Sequence, residues 1–419
     1  LCWWALEHKT ISSLVEVLTL FDTPAFWKRP MVTQAITTRL SRRLAAEGTP
    51  KSYSGAARLL DAAPDDASRQ LVLKGLYEAM VGRGLAEPPA SLITLLHHHL
   101  NAQPDNALLA ELLLRMGQEP AAALRIATSR NTPLPIRSSL LQALGETRTA
   151  TAVPVLIKII SDPASSPLHV ASLSAMAHFD LPDIHAAVLA SYPQLAPGAR
   201  SQAIDLLASR PTSAVLLLSA IRAEAIDSKS VTTVQVRRLL QHNETAITTA
   251  VTPIWGHVVP ATALEKDGRI GAISKWIRRD TGEPRNGRTL YTKHCASCHK
   301  FRGEGTAIGP DLTGTERKDA SKLIRNIVDP SSVIRPQYIS HIAVTKDGRI
   351  LSGLLAASNA ETITLLDGKN KRTVIARATL ESLKESPLSL MPEKLLEKLT
   401  AQEIRDLVSY LRLDGKPSR

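Results

Sequence analysis

Three segments of the chain, residues 136–144, 169–176 and 199–207, align when it is shifted against itself, and Leu141, Leu173 and Ile204 fall at equivalent positions 32 and 31 residues apart. Each is followed by a second segment, 152–160, 182–191 and 213–222, and apolar residues recur in them at helical spacing. A two-helix unit of this size cannot bury its own apolar face, so it must stack on the next one. The first 280 residues are therefore expected to form an array of helical pairs, clearest over 131–225. Turns are marked by Pro, Gly and Asp, no strand-like alternation competes, and aromatic residues make up only 4 % of the chain, which disfavours a β architecture. No apolar run approaches the roughly 18 to 20 residues of a membrane helix.

The pattern changes after Trp276. Thr281-Gly282-Glu283-Pro284-Arg285-Asn286-Gly287 is polar and carries Gly and Pro, as domain-separating stretches do, so a second domain is expected over 286–419. Helices are expected at 288–294, 320–328 and 401–411. In the last, Thr400 and Glu403 make a capping box ahead of the apolar stripe Ile404, Leu407, Val408 and Leu411. Between these helices, 338–383 alternates apolar and polar residues around Asp347-Gly348 and Asp367-Gly368, which predicts β-hairpins. The expected fold class is mainly α with a small β insertion.

Cys295-Ala296-Ser297-Cys298-His299 carries the chemistry. Two thiols three apart on one helical turn suit thioether bonds to the two vinyl groups of one haem c, and the next side chain offers its imidazole to the iron. Two other uses of a cysteine pair compete. A structural zinc needs about four ligands, and the only further cysteine is the remote Cys2, itself read as a buried apolar side chain. A thioredoxin-like redox pair calls for a βαβ setting that the pattern lacks. A six-coordinate carrier needs one more ligand, and of five methionines only Met391, 92 residues after His299, lies in this domain. A plain core methionine is the alternative, and His341, in a strand-like stretch, is the rival ligand. His294 is expected to face solvent. His97, His98 and His99 are consecutive, so on a helix they point three ways and cannot converge on a metal.

On these residues the stretch from about 286 to the end resembles an all-α class I cytochrome c domain carrying the β insertion. Gly287 and Tyr291 stand where that family's first helix meets its last, to which Leu407 and Tyr410 correspond. The resemblance of Gly309-Pro310-Asp311-Leu312 implies that the Pro310 carbonyl accepts a hydrogen bond from proximal His299 and that Leu312 packs on the haem. Met391-Pro392 ahead of the last helix implies a distal thioether. The helical pairs resemble HEAT repeats, a little short for the type. The order Trp3-Trp4-Ala5-Leu6-Glu7, repeats, CxxCH, insertion and Leu390-Met391-Pro392 resembles the C-terminal part of the large haem-binding, membrane-bound dehydrogenases typical of planctomycetes and verrucomicrobia. In that family a β-propeller usually precedes the repeats. No propeller is read here, so no residues are assigned to substrate oxidation, and the start at Leu1 without Met is taken as that of a piece of a longer chain.

This resemblance implies a one-electron carrier that accepts electrons from a dehydrogenase and passes them to a downstream acceptor, with a protein ligand on the repeats. It also implies a periplasmic or otherwise exported location, membrane association resting on other segments. A haem enzyme or sensor with an open sixth position, and a repeat scaffold with haem as passenger, stay open. Lys and Arg exceed Asp and Glu for a net charge of +12. No basic run with interleaved aromatics accompanies it, so an acidic redox protein is expected rather than nucleic acid. The insertion's Lys346, Arg349, Lys369, Lys371, Arg372 and Arg377 are the expected docking charges.

Overall fold

The computed structural model describes residues 2–81, 88–255, 263–315 and 317–413. By packing, the chain divides into two units, Leu1–Leu207 with Ser219–Asp227 and Ala208–Leu218 with Ser228–Arg419. It is mainly helical, with a two-stranded and a five-stranded sheet among the described residues, both in the second unit. The side chain of Cys2 lies outside the described residues.

In the first unit, helix Leu134–Glu146 packs on His169–Met176, which packs on Pro197–Leu207, while Val153–Ser161 packs on Pro182–Ser191. Leu141, Leu173 and Ile204 are fully buried in the first set. A β-carbon at Gly145 would lie 2.5 Å from the Ala175 Cα, so a bare backbone there sets how closely two of these helices approach. Proline in the first turn starts Val153–Ser161 and Pro182–Ser191, where its missing N–H costs no hydrogen bond.

In the second unit the polar stretch after residue 280 is packed rather than slack. A β-carbon at Gly282 would lie 2.1 Å from the Arg405 carbonyl oxygen, and one at Gly287 would lie 2.0 Å from that of Asp406. The leading helix runs Pro284–His294, four residues earlier than the apolar pattern indicates. Its start is capped locally, by Pro284 in the first turn and by the Glu283 carboxylate, which accepts the Arg285 N–H at 3.2 Å, and it is tied to the closing helix, Ala401–Leu411, whose buried Asp406 carboxylate accepts the Glu283 N–H at 2.8 Å. The capping box of Thr400 and Glu403 is formed. Although the composition change puts the end of the array near residue 280, helix Ala263–Arg279 contributes Ile270 and Ile273 to the same core as Tyr291, Ile324, Leu407 and Leu411.

Two short strands, β1 (Lys300–Phe301) and β2 (Glu304–Gly305), pair just after the cysteine motif. The insertion is one antiparallel sheet of β3 (Ser340–Thr345), β4 (Ile350–Ser358), β5 (Thr362–Leu366), β6 (Arg372–Ala376) and β7 (Leu380–Glu385), in the order β6-β5-β4-β3-β7. Both Asp-Gly turns close hairpins, and β7 returns to pair with β3, which local pattern does not announce. Ala343, Ile363, Leu365 and Ile375 make a core on one face. On the other, Leu354 and Leu366 pack against Ile308 and Cys298. The sheet is thereby tied to the cysteine motif. Arg349 departs from its expected docking role: it is buried, and its guanidinium lies 3.4 Å from Asp347, which also pairs with the buried Arg210 at 3.3 Å.

Candidate haem site

The leading helix runs directly into the motif. Cys295 and Ala296 both donate their N–H to the Tyr291 carbonyl, at 2.8 and 2.9 Å, and Cys298 and His299 both donate to the Cys295 carbonyl, at 3.0 and 2.9 Å. Residues 295–299 are therefore wound into one turn that carries both thiols, each partly buried. The segment after β2 ties down the turn's remaining carbonyls. Thr306 N donates to Ala296 O at 3.0 Å, and Ile308 N and Gly309 N donate to Cys298 O at 3.0 and 2.7 Å. Tyr291, fully buried against Phe301 and Tyr410, donates its hydroxyl to His299 O at 2.7 Å. Burial, reinforced by Cys295, raises its pKa, so it remains a donor.

The His299 imidazole is oriented by its neighbours. Nδ1 lies 2.9 Å from the Pro310 carbonyl oxygen, and since a carbonyl only accepts, Nδ1 carries the hydrogen and the lone pair is left on Nε2. Gly309 allows this: a β-carbon there would lie 2.6 Å from the ring's Cε1. Leu312, Cys295 and Met391, all partly buried, pack against the core that holds Tyr291 and Leu407. Cys298 packs instead with Ile308, Leu354, Leu366 and Leu390, and its Sγ is 3.8 Å from the Gly368 carbonyl oxygen on the β5–β6 turn.

Both motif cysteines are free thiols. Burial, and then proximity to Cys298, pushes the Cys295 thiol up to about 12. That is opposite to the depressed pKa of a nucleophilic redox pair. Among the described residues no three His, Cys, Asp or Glu side chains converge on a metal, so zinc finds no ligand set. A haem fits what is present: two unpaired thiols on one turn, and an imidazole committed through Nδ1 with Nε2 left for iron.

His294 departs from the solvent-facing expectation. It is half-buried, its Nε2 has no hydrogen-bond partner, and burial lowers its pKa. His341 sits within β3 with Nδ1 3.2 Å from Ile339 O, paired in register with Gly353 and Glu385. Arg317 carries no sequence signal, yet it is buried and donates to Thr313 O at 2.8 Å and Leu413 O at 3.0 Å, pinning the segment after Leu312 to the end of the closing helix.

A CxxCH turn at the end of a helix, beside a Gly-Pro loop and packed on the core shared with helix Ala401–Leu411, is an arrangement able to hold a c-type haem. Residues 284–343 match the family model described as Cytochrome c. No curated protein matches the chain. The second unit thus carries a cytochrome c domain, a haem-binding electron-transfer module. The matched stretch ends within β3, before Met391.

Proposed function

We propose that residues 284–413 carry one electron at a time between protein partners, with Cys295 and Cys298 anchoring a single haem c, His299 as proximal and Met391 as distal ligand. The His299 ring held by Pro310 beside two unpaired thiols, inside a stretch matched to cytochrome c, carries this reading. Bound haem c supplies the one-electron couple between Fe(II) and Fe(III). The residues do the rest. Pro310 fixes the tautomer of His299, Leu312 and Ile308 keep water from the site, and a thioether at the sixth position favours a relatively high potential. The oxidised full chain is expected to show a Met-to-iron charge-transfer band that Met391→Ala abolishes. High-spin iron in the unaltered protein would replace this reading with an open sixth position, as in a haem enzyme or sensor.

The resemblance to haem-binding dehydrogenases supports a dehydrogenase as donor and a downstream acceptor, and the HEAT-like helical pairs offer a surface for a protein ligand. It also supports an exported location, since haem c is attached outside the cytoplasmic membrane in such bacteria. Among the described residues no helix is long and apolar enough to cross a membrane. The acceptor face is proposed on the β5–β6 turn, where Lys369, Lys371 and Arg372 are exposed next to Gly368, the residue against Cys298. Asp367 accepts the N–H groups of Lys369 and Lys371, each at 2.9 Å, which holds the turn in shape. Replacing the three cations by Glu is expected to slow oxidation by ferricyanide, a small anion, roughly tenfold at low salt. The difference should fade toward about 0.5 M salt with the haem spectrum unchanged. A salt-insensitive rate equal to that of the unaltered protein would leave the insertion as structure only.

A further inference from the structure

Residues 388–396 around Met391 have no regular secondary structure and yet are held at several points. Leu388 O accepts from Ser340 Oγ at 2.9 Å, Ser389 N donates to Ser331 Oγ at 3.1 Å, and Leu396 O accepts from Arg269 at 3.0 Å. An ionic tie falls two residues beyond Met391. Glu393 is buried, and its Oε1 lies 3.0 Å from Nζ of Lys266, which also reaches Asp329 Oδ1 at 2.7 Å. Lys266 and Arg269 share one face of helix Ala263–Arg279, so a single helix grips the segment on the C-terminal side of Met391 twice. That helix lies ahead of the stretch matched to cytochrome c. A carboxylate this deep needs a cation beside it, and such a charge-assisted contact fixes position as well as charge.

We infer that Lys266 is a positioning residue for the distal ligand: through Glu393 it holds the Met391 segment against the core, from a helix outside the cytochrome motif. The inference rests on Met391 being that ligand. Strain on helix Ala263–Arg279 would then reach the sixth position, which a self-contained cytochrome domain would not permit.

The test uses the haem-loaded full chain, with cyanide binding to the oxidised form and amide exchange over 388–396 as readouts. Lys266→Met is expected to bind cyanide roughly tenfold faster or more, and to exchange faster over 388–396 while 401–411 keep their protection. Lys266→Arg should restore both. Glu393→Gln, which removes the buried charge itself and so guards against simple misfolding, should reproduce the effect of Lys266→Met. Cyanide binding and exchange equal to the unaltered protein in both Lys266→Met and Glu393→Gln, where Met391→Ala still removes the charge-transfer band, would overturn the positioning role and leave the ligand reading standing. A band that survives Met391→Ala would overturn both.

Discussion

Full-length protein carrying Cys295→Ala and Cys298→Ala together is expected to release all its haem on acid-acetone extraction and to give no c-type pyridine haemochrome. Thioethers to these two sulfurs are the only covalent links the motif offers, since His299 contributes a coordinate bond that acid breaks. The effect on folding should be confined. Cys295, Ala296, Leu312 and Met391 lie at the margin of the second unit's core, only partly buried. Without haem against them their apolar faces meet water, and the core that runs from Ile270 to Leu411 loses its cover. Amide exchange over 263–413 is therefore expected to rise roughly tenfold or more, while helices between 134 and 207, whose Leu141, Leu173 and Ile204 are buried without it, keep their protection. Covalent haem in the double variant would sink the assignment. Loss of protection in both regions together would make the chain one cooperative unit.

What could be read from sequence and what could not divide along the reach of each signal. The helices at 320–328 and 401–411 are legible because their caps and apolar stripes are local: Asp319 accepts from Ser321 N, and Thr400 from Glu403 N. The start of the leading helix is only half so: Pro284 and the Glu283 cap on Arg285 N are local, whereas the Glu283 N–H is satisfied by Asp406, from the other end of the domain. The same holds in the sheet. Each Asp-Gly turn declares its hairpin, whereas the return of β7 to β3 depends on pairing that no local pattern encodes. Arg349 passes for a surface cation because a sequence shows a charge without its partner, and one of the residues that surround Asp347 with it is Arg210.

The site follows the same rule. Cys295, Cys298 and His299 are neighbours in the chain, and Gly309 and Pro310 follow ten and eleven residues after His299, so the contact of the His299 ring with Pro310 is within reach of the sequence. The proposed distal segment around Met391 is held by Lys266, Ser331 and Ser340, whose contacts join positions far apart in sequence. A methionine can be singled out by elimination, but what holds it in place cannot.

Gly309→Ala is expected to disturb the His299 imidazole while leaving both covalent anchors intact. The new methyl would lie 2.6 Å from Cε1 and 2.9 Å from Nδ1 of the ring, well inside van der Waals contact. The backbone has little room to yield, because Ile308 N and Gly309 N are both bonded to the Cys298 carbonyl, at 3.0 and 2.7 Å. The ring must then tilt, and the Nδ1–H bond to Pro310 O, now 2.9 Å, lengthens or breaks. An imidazole without that partner is a poorer and less well aimed donor, an effect worth about 10- to 100-fold in metal affinity at comparable sites. The variant should keep its c-type haemochrome but show high-spin character in the oxidised spectrum at neutral pH, and added imidazole should bind where it does not in the unaltered protein. Gly314→Ala is the control: a β-carbon there meets nothing within 4 Å, so its spectrum should match that of the unaltered protein. A spectrum unchanged by Gly309→Ala would mean that the ring has room the geometry denies it, and would remove Pro310 from the account of how His299 is held.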